Sequence, residues 1–316
     1  MNKLSIQTFR TVNLADPEPG FKLIASEGFD AVDYGVDEYL PGKNISDGSF
    51  TPFFLQPVEK IIESQIPIKE AAAKAGVAFG QLHAPYPLYA YGRDDINDVC
   101  YEVADKTLAI AAFLNCPWVI IHPLNLRDKC GLAEERRINL EYFRRIMPMA
   151  VKRGVGVCLE NMFGWEIRHA LEATCSNFEE ANMFIDTLNK EAGAKVFGFC
   201  LDTGHARLLN KRMYESILLL GDNLTALHIH ENDGWQDMHA MPYTYSCYFS
   251  QAPESMMNWD AFCRGLAKID YKGTLSFETS GSLIIFPKPT HHEVRSLVAS
   301  CGRYFASEIE RYKNEK

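Results

Sequence analysis

Residues 227–239 read LHIHENDGWQDMH. Three histidines (His228, His230 and His239) and three acids (Glu231, Asp233 and Asp237) gather at and just past the end of a short apolar run. Imidazole and carboxylate are side chains that bind divalent cations and move protons near neutral pH. The same chemistry recurs at the ends of other apolar runs. LHAPY carries His83, IHPL carries His122, LENM carries Glu160 and Asn161, LDTGH carries Asp202 and His205, and FETS carries Glu278. A buried acid that is neither paired nor metal-bound is costly, so a convergent ring of such ends calls for a cation. The expectation is a divalent-metal site, and its donors suit Mn, Co, Mg or Zn alike.

The elements that must carry these residues are strands. LSIQTF, FDAVDY, AFGQLH, WVIIH, VGVCLE, FGFCLD, LTALHIH and TLSFET are short apolar runs, several of them apolar on both faces, as strands of a buried parallel sheet are. Helical spacing separates most of them. A helix over 68–76 ends at Gly76, and others span 101–114, 134–153 and about 292–312. Pro148 is expected to kink or shorten the third of these. Ser176 is the candidate cap of another helix, with Glu179 completing a capping box. Two long loops are expected, over 37–56 and 231–258.

Eight strands alternating with helices over 316 residues give roughly 40 residues per unit, which suits an α/β protein of the (β/α)8 class. The competing architecture is an open doubly wound sheet. The Gly-rich phosphate turn expected after the first strand of a dinucleotide-binding version is absent from the sequence. In a barrel the strand ends converge on one face, where active sites sit. Period-two alternation points His228 and His230 to the same side of their strand. His230, nearer the end, is the better ligand. His228 lies deeper, as a supporting or packing group. Asn232, Asp233 and Gly234 form a turn. Asp237 and His239 either return toward the site or stabilise their own loop.

Composition limits the partners. A net charge of -9, from 32 basic and 41 acidic residues, argues against a nucleic-acid partner, which needs a basic surface. No apolar run is long enough for a membrane span, and the first residues lack a signal-peptide core, so a cytoplasmic protein is expected. The nine cysteines include no C-x-x-C pair and read as reduced, small apolar residues.

With LEN, LDTGH, HIHENDG followed by D-x-H, and FET in that order, the chain resembles the xylose isomerase-like barrel superfamily. That group holds sugar isomerases and epimerases and the endonuclease IV-type enzymes. The resemblance runs from the first strand to the eighth. It implies a (β/α)8 TIM barrel as a single domain over 1–316, with a long loop after strand seven at about 231–258. It also implies one divalent metal (Mn, Co, Mg or Zn) on Glu160, Asp202, His230 and Glu278, the two glutamates being acid and base on opposite faces of a sugar. His83, His122 and His205 are then substrate-binding residues, and Asp237 and His239 serve a second metal or the loop.

The implied activity is a metal-dependent sugar isomerase or epimerase, working by proton transfer next to a sugar carbonyl through an enediolate. Three alternatives stand beside it. One is a lyase of the same superfamily that cleaves oxidised (C-)glycosides by β-elimination. Another is a multi-zinc endonuclease IV-type phosphoesterase, since His83, His122, Glu160, Asp202, His205, His230, Asp237, His239 and Glu278 match all nine of its ligand types. The last is a non-catalytic sugar-binding subunit. The expected partner is a small carbohydrate, and a homo- or hetero-oligomer is left open. The chain departs from many relatives at residues 241–257, MPYTYSCYFSQAPESMM, which is rich in Tyr, Phe and Met. It reads either as a loop packed on its own side chains or as a lid over an aromatic part of the substrate.

Overall fold

Alternation along three strands decides what the barrel encloses. In VGVCLE the residues Gly156, Cys158 and Glu160 fall on one side, and Val157 and Leu159 on the other. FGFCLD repeats this with Gly198, Cys200 and Asp202 against Phe197, Phe199 and Leu201. TALHIH places Ala226, His228 and His230 together. The apolar stripes face the helices: Phe199 meets Phe178, and Phe197 meets Phe143. The other stripes face inward and graduate from small residues to metal-capable ones.

The computed structural model describes residues 1–167, 169–246 and 257–315. The strands are β1 (Leu4–Gln7), β2 (Ala31–Gly35), β3 (Ala78–His83), β4 (Trp118–Ile120), β5 (Gly156–Glu160), β6 (Phe163–Glu166), β7 (His169–Glu172), β8 (Phe197–Asp202), β9 (Leu224–His228) and β10 (Leu275–Phe277). Eight of them form one parallel sheet in the order β10-β1-β2-β3-β4-β5-β8-β9. An isolated parallel bridge between Ile229 and Phe277 joins its two edges, with Ile229 N donating to Ser276 O at 2.8 Å. The result is the (β/α)8 barrel expected from the strand–helix alternation. Ile120, Cys158, Cys200 and Ala226 form a buried inner layer beneath the site. A Cβ on Gly156 would overlap the Trp118 ring, and one on Gly198 would overlap Thr225, so glycine there makes room for the lowest layer. The eight described cysteines are free.

Helices cover the outside, and several departures from the sequence reading have local causes. The helix ending at Gly76 is longer than expected, Val58–Ala75, and Gly76 caps it at φ +72°. Pro148 neither breaks nor shortens Leu132–Arg153, because Ile138, Tyr142, Phe143, Ile146 and Ala150 bury one face of that helix. Ser176 is not the cap of Phe178–Ala192. Its hydroxyl donates to Ala173 O, and Asn177 accepts from the amides of Glu179 and Glu180 instead. Residues 37–56 are not open loop: they fold into the short helices Asp37–Tyr39, Gly42–Asp47 and Pro52–Leu55. Pro41 and Pro52 sit where a missing N–H does no harm at a helix start. The antiparallel β6–β7 hairpin was not legible in the sequence. Among the described residues, no helix is long and apolar enough to cross a membrane.

The last helix, His291–Asn314, seals the barrel over β1 and β10, with Phe305 stacked 6.4 Å from Phe277. One buried ion pair fastens it. Arg295 Nε and Nη2 each lie 2.7 Å from the carboxylate of Glu27, which follows the helix Pro17–Ser26. His292 Nδ1 is 3.0 Å from the same carboxylate. Removing one member of a buried pair strands the other charge and costs about 3–5 kcal/mol. Arg295→Leu is therefore expected to lower the unfolding free energy by about 3 kcal/mol in urea, and Glu27→Gln on that background to restore part of it. A loss within about 0.5 kcal/mol, the range of ordinary surface changes, would show that the pair does not fasten the helix.

Candidate metal centre and active site

Glu160 ends β5, and Asp202 ends β8. Asp202 is also the N-cap of the helix Thr203–Leu208. Its Oδ1 accepts from His205 N at 2.7 Å, which leaves Oδ2 for the barrel mouth. Asn161, beside Glu160, clamps the backbone of Asp202: its Nδ2 donates to Asp202 O at 2.9 Å, and its Oδ1 accepts from Asp202 N at 2.8 Å. Two strand ends are thereby locked together. His230 follows β9, held by Thr203 Oγ1 through both its N and its O. Its Nε2 lies 3.0 Å from Asp202 Oδ2. Gly204 is required here, since any Cβ would occupy the space of the His230 ring.

The predicted residues come together. His122 Nε2 is 3.1 Å from Glu160 Oε2, and His83 Nε2 is 3.0 Å from His122 Nε2. His205 Nδ1 donates to Asn161 O at 2.9 Å, and its Nε2 lies 3.5 Å from Asp237 Oδ2. Asp237 and His239 do return to the site: His239 Nε2 is 3.0 Å from Asp237 Oδ2, and the His239 ring stacks on His230 at 4.1 Å. Glu278 Oε2 lies 3.7 Å from His239 Nδ1 and 3.5 Å from His228 Nδ1. His228 reaches further into the centre than a packing group does, since its Nδ1 is also 3.2 Å from Glu160 Oε2.

Sequence reasoning passed over Asp33, Gln81 and Asp37. Asp33 is buried on β2, where Oδ2 accepts from Gln81 Nε2 at 2.8 Å and from His228 Nε2 at 2.9 Å. Ala31, Asp33 and Gly35 form the inward stripe of FDAVDYG, so an acid between two small residues was the available signal. Asp37 Oδ2 stands 3.6 Å from His83 Nδ1. The insert at 241–257 begins by packing away from the strands. Glu231 pairs with Ala240, its carboxylate accepts from Ser246 Oγ, and the Tyr243 ring lies 6.0 Å from Phe305. The remainder of the lid expectation falls on 247–256, outside the described residues.

Charge explains the local titration. Burial opposes ionisation of Glu160, but the His228 and His122 imidazoles outweigh it and hold the carboxyl well below the usual range. Burial likewise opposes Asp202, and His205 and His230 lower it. Asp237 is pulled down by hydrogen bonds from His205 and His239 against its burial. In return, burial depresses His205 but Asp202 and Asp237 push it up to about 10. Burial also depresses His239, while Glu278 and Asp237 push it up to about 9. Imidazolium is thus the cation of the metal-free site.

A divalent ion fits this set of donors. Glu160 Oε2, His228 Nδ1 and Asp237 Oδ1 are buried atoms without a well-aligned hydrogen bond. Four overlapping groups bring candidate ligand atoms within 4.8 Å of one another: His83, Glu160 and His228; Asp202, His205 and His230; His230, His239 and Glu278; Asp202, His228 and Glu278. Mixed carboxylate and imidazole donors suit Mn, Co, Mg or Zn.

Two predictions follow from this geometry. Gly204→Ala pushes the His230 ring aside and is expected to weaken Mn(II) binding at least tenfold, read by calorimetry, while Gly164→Ala, whose Cβ would meet nothing nearer than Asn125 at 3.6 Å, serves as the control. The second concerns pH. Histidines raised by folding stabilise the metal-free protein fully below their unfolded value near 6.5, and this is lost as pH rises toward about 9 for His239 and about 10 for His205. An ion competes with those protons for the same carboxylates. The gain in melting temperature on adding Mn(II) should therefore widen from pH 6.5 to pH 9. A gap that stays constant or narrows would remove the imidazolium account.

The comparisons agree with this architecture. Residues 21–299 match the family model described as xylose isomerase-like TIM barrel. Among solved structures, an L-ribulose 3-epimerase superposes with a TM-score of 0.67 at 15% identity, covering 100% of this chain and 97% of its own. A D-tagatose 3-epimerase-like protein gives 0.66 at 16% identity, covering 99% and 98%. The 3-keto-D-glucoside 4-epimerase YcjR from E. coli gives 0.65 at 13% identity, covering 97% and 100%. The uncharacterized protein y4fM of Sinorhizobium fredii (strain NBRC 101917 / NGR234) is 22% identical over 204 residues, or 63% of this chain, and the match spans 58% of that relative's length. With the family model spanning most of its length, the chain belongs to the xylose isomerase-like TIM barrel family.

Proposed function

We propose that the protein is a divalent-metal-dependent sugar epimerase or isomerase. The observation that carries the reading is the convergence of Glu160 and Glu278 on one imidazole, at 3.2 Å and 3.5 Å from His228 Nδ1, amid the donors for one ion. Glu160, Asp202, His230 and Glu278 would hold that ion. When bound, it would supply Lewis-acid stabilisation of the negative charge that develops on the sugar oxygens. Either Glu160 or Glu278 removes the proton on the carbon next to the carbonyl, leaving an enediolate. The other returns a proton from its carboxylic acid form. Return to the opposite face of the same carbon epimerises; return to the neighbouring carbon isomerises. His205, His122 and His83 would bind substrate hydroxyls around them.

The lining beside Glu278 supports a neutral substrate. A cavity of about 280 Å³ opens there between Gln7, Phe9, Asp37, Glu38, His83 and Ser280, with Asp33 and Glu278 at its base. Four of its lining residues are acids and none is Lys or Arg. Coulomb repulsion in such a cleft disfavours a phosphodiester or a sugar phosphate, which weighs against the multi-zinc phosphoesterase. The structural neighbours named as sugar 3-epimerases and as a 3-keto-glucoside epimerase add to the case for a free or oxidised sugar.

One further observation favours a substrate with an aromatic group, and with it elimination from the same enediolate. The hairpin after Glu160 carries Phe163 against the His205 ring at 4.8 Å and Trp165 against Phe163 at 5.3 Å. Trp165 is half exposed at the end of this path. An aryl group leaving a bound sugar would lie on these rings.

Two measurements test the reading. In D2O with Mn(II), turnover of ketoses or 3-keto-glycosides should place one deuterium on the carbon that changes configuration. Glu160→Gln and Glu278→Gln should each reduce turnover by about 10²–10⁴-fold, the usual worth of a general acid or base. Near-normal turnover in both variants would refute the mechanism. Trp165→Ala should raise KM about tenfold for aryl-bearing substrates and leave free sugars unchanged. An equal effect on both classes would dismiss the aromatic reading.

A further inference from the structure

The deepest imidazole of the site is held unlike the others. His228 is 1% exposed. Its Nε2–H donates to Asp33 Oδ2 at 2.9 Å. Asp33 is fixed in turn by Gln81 Nε2 at 2.8 Å, and the same Nε2 donates to Leu227 O at 3.1 Å. The support of His228 is therefore tied to the backbone of the strand that carries it. The His83 ring stacks on His228 at 5.5 Å and 24°, which further limits rotation of the imidazole.

With Nε2 committed to Asp33, Nδ1 is the nitrogen left for other chemistry. It is buried and without a well-aligned hydrogen bond. It faces Glu160 Oε2 at 3.2 Å, Glu278 Oε2 at 3.5 Å and Asp202 Oδ2 at 4.0 Å. Ligand atoms held about 2.0–2.2 Å from one ion lie about 3 Å apart when adjacent and about 4.2 Å apart when opposite. All three separations fall within that range. Asp33 reproduces the carboxylate that stands behind many metal-bound imidazoles, fixing the tautomer and strengthening the ligand.

We propose that His228 is a fifth protein ligand of the ion, through Nδ1, and that Asp33 is the positioning residue that presents it. The inference rests on the metal reading above and extends its donor set. His228 and His230 then bind from one inward stripe through different ring nitrogens: Nδ1 for His228 and Nε2 for His230. Asp33 lines the neighbouring cavity, but its Oδ2 is taken up by Gln81 and His228. It acts through the ring.

The test uses the full chain, stripped with a chelator and reloaded with Co(II) alone. Affinity is read by competition with a chromophoric chelator. Proton NMR reads the exchangeable ring N–H signals that a bound Co(II) shifts. The wild-type protein is expected to give a strongly shifted, slowly exchanging signal from His228 Nε2–H, protected by Asp33. His228→Gln should lose it and bind Co(II) at least tenfold more weakly. Asp33→Asn keeps a hydrogen-bonding partner of the same shape; it should move that signal and weaken Co(II) by about 10–100-fold.

An unmoved signal and unchanged affinity in folded Asp33→Asn overturn the proposal, even where His228→Gln does not fold. A merely structural pair would lower the melting temperature and leave the shifted signals in place, which also overturns it. Where wild-type protein takes up Co(II) with no signal assignable to His228, this inference alone fails. Where it takes up neither Co(II) nor Mn(II), the metal reading fails as well.

Discussion

Buried carboxylates at the mouth of a barrel demand positive charge, and the rest of this structure answers that demand. Glu160 and Asp202 are almost wholly buried, and Asp237 and Glu278 stand beside them. Leaving such groups ionised without partners costs several kcal/mol each. Around them the chain sets His83, His122, His205, His228, His230 and His239, which serve as counter-charges when protonated and as ligands when neutral. The same acids pair with histidine in the structure and, on the proposed metal reading, would pair with a cation instead. Metal uptake by such a site would release protons.

Small residues make this arrangement possible. Gly156 and Gly198 open the lower layer, and Cys158, Cys200 and Ala226 fill the middle without displacing the strands. Gly204 admits the His230 ring. The large apolar side chains point the other way, into the helices, where Phe143, Phe184, Phe197 and Phe199 are fully buried. Burying side chains of that size contributes about 1.5–3 kcal/mol each. The stability of the outer shell offsets the strain of crowding charges at the centre.

The proposed proton transfer on a sugar would suit this centre for electrostatic reasons. Two carboxylates on different strands reach the same space, Glu160 from the end of β5 and Glu278 from just past β10, as the proposed acid and base would need to. The cavity beside Glu278 is lined by Asp33, Asp37, Glu38 and Glu278 and by no Lys or Arg, which on the proposed reading would favour a neutral polyol over a phosphate. The hairpin after β5 adds the apolar faces of Phe163 and Trp165 beside His205.

The residues at the strand ends were legible from type and spacing, and so was the barrel. Period-two alternation in VGVCLE, FGFCLD and TALHIH dictates which side chains share a face, because a strand offers only two. His228 and His230 were paired on one side by that rule alone, and the nine metal-capable residues were all named from the sequence. Depth was not legible. Alternation sets a face and not a height, so the stagger of parallel strands alone brought His228 level with Glu160 and Glu278. Asp33 and Gln81 looked like ordinary strand residues, because their partners on β9, His228 and Leu227, are 195 and 146 positions away in the chain. The hairpin at Phe163–Glu166 and His169–Glu172 and the short helices of 37–56 escaped notice because neither carries a sustained hydrophobic period. Local chemistry follows from residue order, whereas distances between strands follow from how the closed sheet staggers them.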